Sequence, residues 1–172
     1  MPTSPRAKSR RVGEIPVAFA LLYGEHEVTI DDKKRLLVPS EIRKRLDPAV
    51  DGSAFFLVIG ENLLPWLYPE RVYEAMVADA EQELSPDEDQ LAFDQMHFAL
   101  ASRLEWDKQG RILLPDKILK RTGIGKDCVL SGARNHFELW NKADWDTRRE
   151  MLMNNRKEIA LRQKQKKMIQ GT

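Results

Sequence analysis

The sequence is short of the groups that most catalytic and metal-dependent chemistries need. Its 172 residues hold one cysteine, Cys128, which excludes an intrachain disulfide and fits a reducing compartment. That cysteine stands in a β-prone apolar run, where burial is expected rather than reactivity. The three histidines, His26, His97 and His136, lie far apart and outside the C-x-x-C and H-x-x-x-H spacings of structural zinc, so neither a metal nor a cofactor is expected. They read as satisfied polar side chains. No Ser or Cys nucleophile sits in a recognisable local motif and no phosphate-cradling glycine loop occurs, which points away from an enzyme and from a small-molecule substrate.

Long apolar runs are missing too. The longest, Val17 to Tyr23, falls far below the roughly 20 residues of a membrane-spanning helix. Basic residues Arg6, Lys8, Arg10 and Arg11 precede it, but Glu14 and Pro16 interrupt the approach, and the triplet Ala18-Phe19-Ala20 lies inside the run instead of after it. A secretory leader is therefore not expected, nor a membrane partner, and the chain is placed in the cytoplasm.

Net charge is equally uninformative as a sum, +1 from 28 basic and 27 acidic residues. Its distribution says more. Residues 1–13, rich in Pro, Ser and Arg, read as a flexible basic tail. Residues Arg156 to Thr172, dominated by Arg, Lys and Gln, extend the preceding helix or fray. Between them, Asp79 to Asp94 carries acids and no base.

What is present is an internal duplication. Asp31-Asp32-Lys33-Lys34-Arg35-Leu36-Leu37-Val38-Pro39-Ser40-Glu41-Ile42 lies over Asp107-Lys108-Gln109-Gly110-Arg111-Ile112-Leu113-Leu114-Pro115-Asp116-Lys117-Ile118, with Asp, Arg, Leu, Pro and Ile recurring at one shift. Lys44-Arg45 and Lys120-Arg121 keep that shift, and Leu67-Tyr68 with Tyr73 matches Leu139-Trp140 with Trp145 after a four-residue adjustment of the loop. Each copy is too short for a comfortable core of its own. Either the copies complete one another inside the chain, or strands exchange between chains.

Local signals agree within each copy. Val28-Thr29-Ile30 and Arg35 to Val38 predict a hairpin around Asp31–Lys34, and Pro39 starts a short helix with Ile42 and Leu46 on one face. In the second copy Gly110 suits a positive φ and Gly123 stops the short helix; Val129-Leu130 and Phe137 to Trp140 read as strands around Gly132–Asn135. Between the copies one helix opens at Pro69, burying Val72, Met76 and Ala80. A second opens with the capping box Ser85-Pro86-Asp87-Glu88, its apolar face formed by Ala92, Phe93, Met96, Ala99 and Leu100. A matching helix after the second copy is capped by Asn141 and buries Trp145 and Leu152. The reading is an α+β chain of two tandem hairpin and short-helix halves. Its segments are a basic N-terminal tail over 1–20, a first module over 21–75, linking helices over 76–103, a second module over 104–150 and a basic C-terminal helix or tail over 151–172.

Gly24-Glu25, Thr29 to Arg35 with Pro39, Ala101, Asp107-Lys108-Gln109-Gly110-Arg111 and Phe137-Glu138-Leu139-Trp140 resemble the MraZ family of the swapped-hairpin superfamily that includes SpoVT and AbrB-type regulators. The match runs from about Leu22 to Arg149, in order and spacing. The resemblance implies two AbrB-like half-modules forming a small β-barrel-like core, and chains assembling into a closed homo-oligomeric ring. It also implies a regulator, associated with the nucleoid, that binds double-stranded DNA repeats near the promoter of the division and cell-wall gene cluster. The family's DNA-contacting turn corresponds here to Lys33 and Arg35 in the first copy and Arg111 in the second, with Gln109 in the place of Lys33. Lys34 replaces the glycine usual in the first turn, Leu91 and Gln95 stand where relatives are expected to carry arginines, and residues 1 to about 20 precede the usual family start.

The chemistry of the turns fits duplex DNA directly. Cations on rigid hairpin tips gain affinity by releasing condensed counterions, and a two-stranded ribbon fits a major groove in which Arg pairs with guanine and Gln with adenine. The candidate contacts are Lys33, Lys34, Arg35, Lys108, Gln109, Arg111 and Arg43, with Lys44 and Arg45 extending the patch. Solvated charges that protect a sheet edge would look similar in composition; the recurrence of Arg at both turns favours DNA. Tyr68, Tyr73, Trp140 and Trp145 read as core or subunit-interface aromatics. The competing reading is an oligomeric protein-binding adaptor in which the hairpins are structural.

Overall fold

A computed structural model describes residues 18–80 and 84–171 of the chain. Most of the expected N-terminal tail lies outside the described residues. Where the described chain begins, Ala20 N–H donates to Asp51 Oδ1 at 3.0 Å and Leu22 is already buried. No helix among the described residues is long and apolar enough to cross a membrane.

The fold is mixed α/β, with eight antiparallel-paired strands and six helices among the described residues. Strand β1 (Glu25–Thr29) turns into β2 (Arg35–Leu37) and helix α1 (Ser40–Arg45). Strands β3 (Ala54–Ile59) and β4 (Pro65–Pro69) follow, then α2 (Glu70–Asp79) and α3 (Glu88–Asp94), which runs into a π-helical turn over Gln95–Ala99. The sequence of elements then repeats: β5 (Ser102–Glu105), β6 (Arg111–Leu113), α4 (Asp116–Thr122), β7 (Asp127–Gly132), β8 (Phe137–Asn141) and α5 (Lys142–Asn154). Helix α6 (Arg156–Gln170) ends the chain.

Six strands form one sheet in the order β1-β7-β8-β4-β3-β5, and β2 pairs with β6 as a separate ribbon. The order is symmetric about the β4–β8 seam, and the copies trade strands across it. Strand β1 of the first copy pairs with β7 of the second, while β5 of the second pairs with β3 of the first. Single bridges, Ile30 to Leu36 and Trp106 to Ile112, tie the ribbon to the two outer strands of the sheet. Thus the copies complete one another within one chain. Each alone would leave its apolar face in water; together they bury Leu36, Ile42, Leu57, Ile112 and Leu139 completely.

Several local expectations hold for the reasons given by the sequence. Gly110 takes φ +79° and Gly123 caps α4 at φ +67°, both in the left-handed region. Ile42 is buried in α1 and Leu46 at its C-cap. Cys128 is buried, and burial together with the nearby Asp127 pushes its thiol up to about 11.

Others are corrected. Helix α3 starts two residues later than its capping box proposed, with Asp87 as N-cap accepting the Gln90 N–H at 2.8 Å; a carboxylate gains from the helix dipole as well as from the hydrogen bond, so it wins over Ser85. Helix α2 buries Val72 and Tyr73, but Met76 and Ala80 are exposed. The π-helical turn breaks the three-and-four spacing after Asp94, and Phe93 and Met96 stay exposed, with Ala92 and Ala99. Asn141 stands at the N-cap of α5, but its side chain spans to the loop after α4, accepting from Gly125 N–H and donating to Gly123 O. Trp145 and Leu152 are half-buried rather than core. His136, stacked against both Trp66 and Tyr68, bonds Asn135 through Nδ1, but its Nε2 finds no hydrogen-bond partner among the described residues and stands 3.7 Å from Glu138 Oε1.

Candidate nucleic-acid interface

Both duplicated turns are built around an aspartate. Asp31 Oδ1 accepts the backbone N–H groups of Lys33 and Arg35 at 2.9 Å each, and Oδ2 accepts Arg35 Nε at 2.8 Å with Nη2 at 2.7 Å. Asp107 repeats the pattern on Gln109, Arg111 and the Arg111 guanidinium, at 2.9, 3.0, 2.8 and 2.8 Å. One carboxylate thus folds the turn and aims the arginine; the same four donors keep it ionised. Asp31 is held below the usual carboxylate range chiefly by the Arg35 side chain, and Asp107 chiefly by the Arg111 backbone N–H. Neither aspartate was among the site residues expected from sequence, although their recurrence at the arginines' own shift was the available signal.

Register fixes where the arginines point. In the ribbon Arg35 lies opposite Leu113, Leu36 opposite Ile112 and Leu37 opposite Arg111. Opposed residues share a face, and Leu36 and Ile112 form the buried one. Arg35 and Arg111 therefore stand diagonally on the common outer face, with side chains about a third exposed. Lys33, Lys34, Lys108 and Gln109 are exposed in the turns at the two ends of the ribbon.

The strand exchange also brings each turn against the other copy. Lys34 has φ +63°, so the first turn keeps the shape a glycine would give it and presents a third cation, at roughly 1–2 kcal/mol of backbone strain. Its O accepts Leu114 N–H at 2.9 Å, and its ammonium lies 3.9 Å from Asp116 at the start of α4. At the second turn Gly110 O accepts Val38 N–H at 3.0 Å, and Arg43 reaches over from α1. Arg43 Nε donates to Val38 O at 3.0 Å, and a Cβ on Gly110 would meet that Nε at 2.6 Å. Arg43, from the first copy, is delivered by the fold to the second turn, where Gly110 stands in the place of Lys34. Each tip ends with three cations: Lys33, Lys34 and Arg35 at one, Lys108, Arg111 and Arg43 at the other. Of the pair placed beside them, Arg45 lies over the Tyr23 ring at 3.7 Å, away from the turns.

A second surface stands apart from the ribbon. Tyr73, Met76, Val77, Phe93, His97 and Phe98 line an open groove of about 530 Å³ between α2 and α3. Glu74, Asp79, Glu88 and Asp89 are exposed on these two helices, which carry one basic residue, Arg71. Helix α6 has no buried residue, carries Arg156, Lys157, Arg162, Lys164, Lys166 and Lys167, and exposes Leu161 and Ile169.

A family model described as "MraZ protein, putative antitoxin-like" matches residues 97–170. The chain is 34% identical over 140 residues to a protein of Pediococcus pentosaceus named transcriptional regulator MraZ, covering 81% of this chain and 94% of that one. It is 32% identical over 127 residues to the protein of the same name from Acetivibrio thermocellus, covering 74% and 85%. A third so named, from Clostridium tetani, is 29% identical over 126 residues, covering 73% and 85%.

Proposed function

The chain belongs to the MraZ family, and from that premise we propose that it is a sequence-specific DNA-binding regulator of transcription, acting in the cytoplasm on the nucleoid. In this reading the two repeats, over 21–75 and 104–150, are AbrB-like half-modules. Their turns grip short repeats near the promoter of the division and cell-wall gene cluster. The observation that carries the proposal is the pair of aspartate-clamped arginines, built alike at two places in the chain and set on one face of one ribbon. An adaptor needs no such duplication of a guanidinium's aim. The relatives' shared name, transcriptional regulator, supports the same reading.

Six cations at the two tips make binding steeply salt-dependent, with log affinity falling by roughly 0.9 per decade of salt for each phosphate neutralised. Titration of the full chain against the DNA upstream of its own coding sequence, repeated over a salt series, tests this. A steep slope with preference for that stretch over scrambled DNA is expected; a flat slope, or equal binding to both, contradicts the reading.

Self-association completes the proposal. The apolar groove between two acidic helices, α2 and α3, and the basic, apolar-striped α6 are complementary in charge and character, which supports a head-to-tail contact between copies that closes into a ring. Several ribbons on one ring would bind tandem repeats with avidity. Affinity for two repeats in tandem should then exceed that for one by well over tenfold, and equality would remove this part of the proposal.

A further inference from the structure

The outer face of the ribbon holds two residues that phosphate binding does not use. Leu37 is 53% exposed and Leu113 60%, each directly across from an arginine, in a strand whose other face is sealed. Leucine is not what this chain otherwise puts at such positions. The exposed alternates of the short outer strands are Glu25, Glu27 and Thr29 in β1, and Arg103 and Glu105 in β5. The ribbon alone alternates arginine with leucine.

We propose that Leu37 and Leu113 read bases, each resting on the 5-methyl group of a thymine in the major groove. This rests on the DNA reading above and adds to it a base identity. The thymine methyl is the apolar group on the base edges of the major groove, and the minor groove offers none. A two-stranded ribbon is narrow enough to enter the major groove, about 12 Å wide. Cations favour duplex DNA over a second copy as occupant. Arg35 and Arg111 bracket the leucines on the face itself, and Lys33, Lys34 and Lys108 crowd its ends, so two such faces would repel. Along one strand Arg35 and Leu37 are two residues apart, about 7 Å, which matches two base-pair steps of roughly 3.4 Å. The same holds for Arg111 and Leu113 running the opposite way. The site should therefore contain guanine and thymine about two steps apart, once in each direction, as an imperfect palindrome whose halves differ because Lys34 faces one side and Gly110 the other.

The test uses the full chain and a duplex chosen from a random-sequence pool by repeated binding. Each thymine of that duplex is replaced in turn by deoxyuridine, which removes the methyl and nothing else. Replacement at a reading position is expected to weaken binding about fourfold, the effect of exposing one buried methyl-sized group. Leu37→Ala or Leu113→Ala should weaken the thymine duplex alike and lose nothing further on its deoxyuridine form. Unchanged affinity at every replaced thymine overturns the proposal, as does a leucine variant that loses equally on both forms. A leucine variant that alters the assembly mass and spares the thymine preference also overturns it, making the face a subunit contact. Failure of the DNA reading itself is separable: the selection then enriches no duplex, and Arg35→Ala has no binding to lose.

Discussion

At the scale of single residues, the aspartates organise the site more than any cation does. Removing Asp31 deletes a negative charge beside the proposed DNA face, so long-range electrostatics alone would tighten binding. Its side chain also fixes two backbone N–H groups and both guanidinium contacts of Arg35. Asp31→Ala is therefore expected to lower specific affinity by about tenfold, within the range of one lost bidentate base contact, while non-specific affinity holds or rises. Specific and scrambled duplexes titrated side by side read the difference. Lys34 gives a contrasting case. Lys34→Gly relieves roughly 1–2 kcal/mol of left-handed strain and returns roughly 0.4–1 kcal/mol to the unfolded chain, for a net stability gain of up to about 1.6 kcal/mol in chemical denaturation. It also removes one phosphate contact, so the salt slope should shrink by about one. That Lys33, Arg35 and Arg111 stand in or beside the turns was legible in the sequence because turn chemistry is local. The contact of Arg43 with the second turn was not legible, because it exists only after the strands exchange.

At the scale of elements, the turns give the fold an acid sensitivity with a defined sign. Asp31 and Asp107 have values lowered below 3.8 by hydrogen bonds that exist only in the folded turn. Their contribution is fully present above that unfolded value and is lost as pH falls through the lowered one. Denaturation followed below about pH 4 should show stability falling, and falling less steeply in the Asp107→Ala variant, which carries one such group fewer. The turns, the short helices and the β7–β8 pair were readable from alternation, proline and glycine, but the expected hairpin around Asp31–Lys34 closes with a single bridge, Ile30 to Leu36, because its two strands pair with the other copy instead. The linking helices were readable only in part. A three-and-four apolar pattern predicts a buried face, yet α3 gives way to a π-helical turn, and Phe93, Met96 and Phe98 are left in solvent. Periodicity reports that a face is apolar without saying whether the same chain covers it.

At the scale of the whole molecule, that uncovered face is the reason to expect assembly. Phe93→Lys replaces an apolar contact of the groove with a charge of the same sign as α6, and should reduce the assembled mass measured by light scattering while leaving the far-ultraviolet circular dichroism unchanged. An unchanged mass would contradict α2 and α3 as the contact. The duplication was visible in the sequence, but the exchange that joins the halves was not, because two short copies could equally have been completed by another chain. Exchange is what makes one rigid ribbon of two distant turns. It sets Arg35 and Arg111 on one face, and each tip draws on both copies for its surroundings.

The central claim is that these two arginines meet DNA from that shared face. It is tested most directly by the Arg35→Ala, Arg111→Ala double variant, measured for DNA binding and assembly mass on the same sample. Loss of specific binding by at least a hundredfold, with the mass unchanged, is expected. Specific binding retained within a fewfold of the parent, at the same mass, would contradict it.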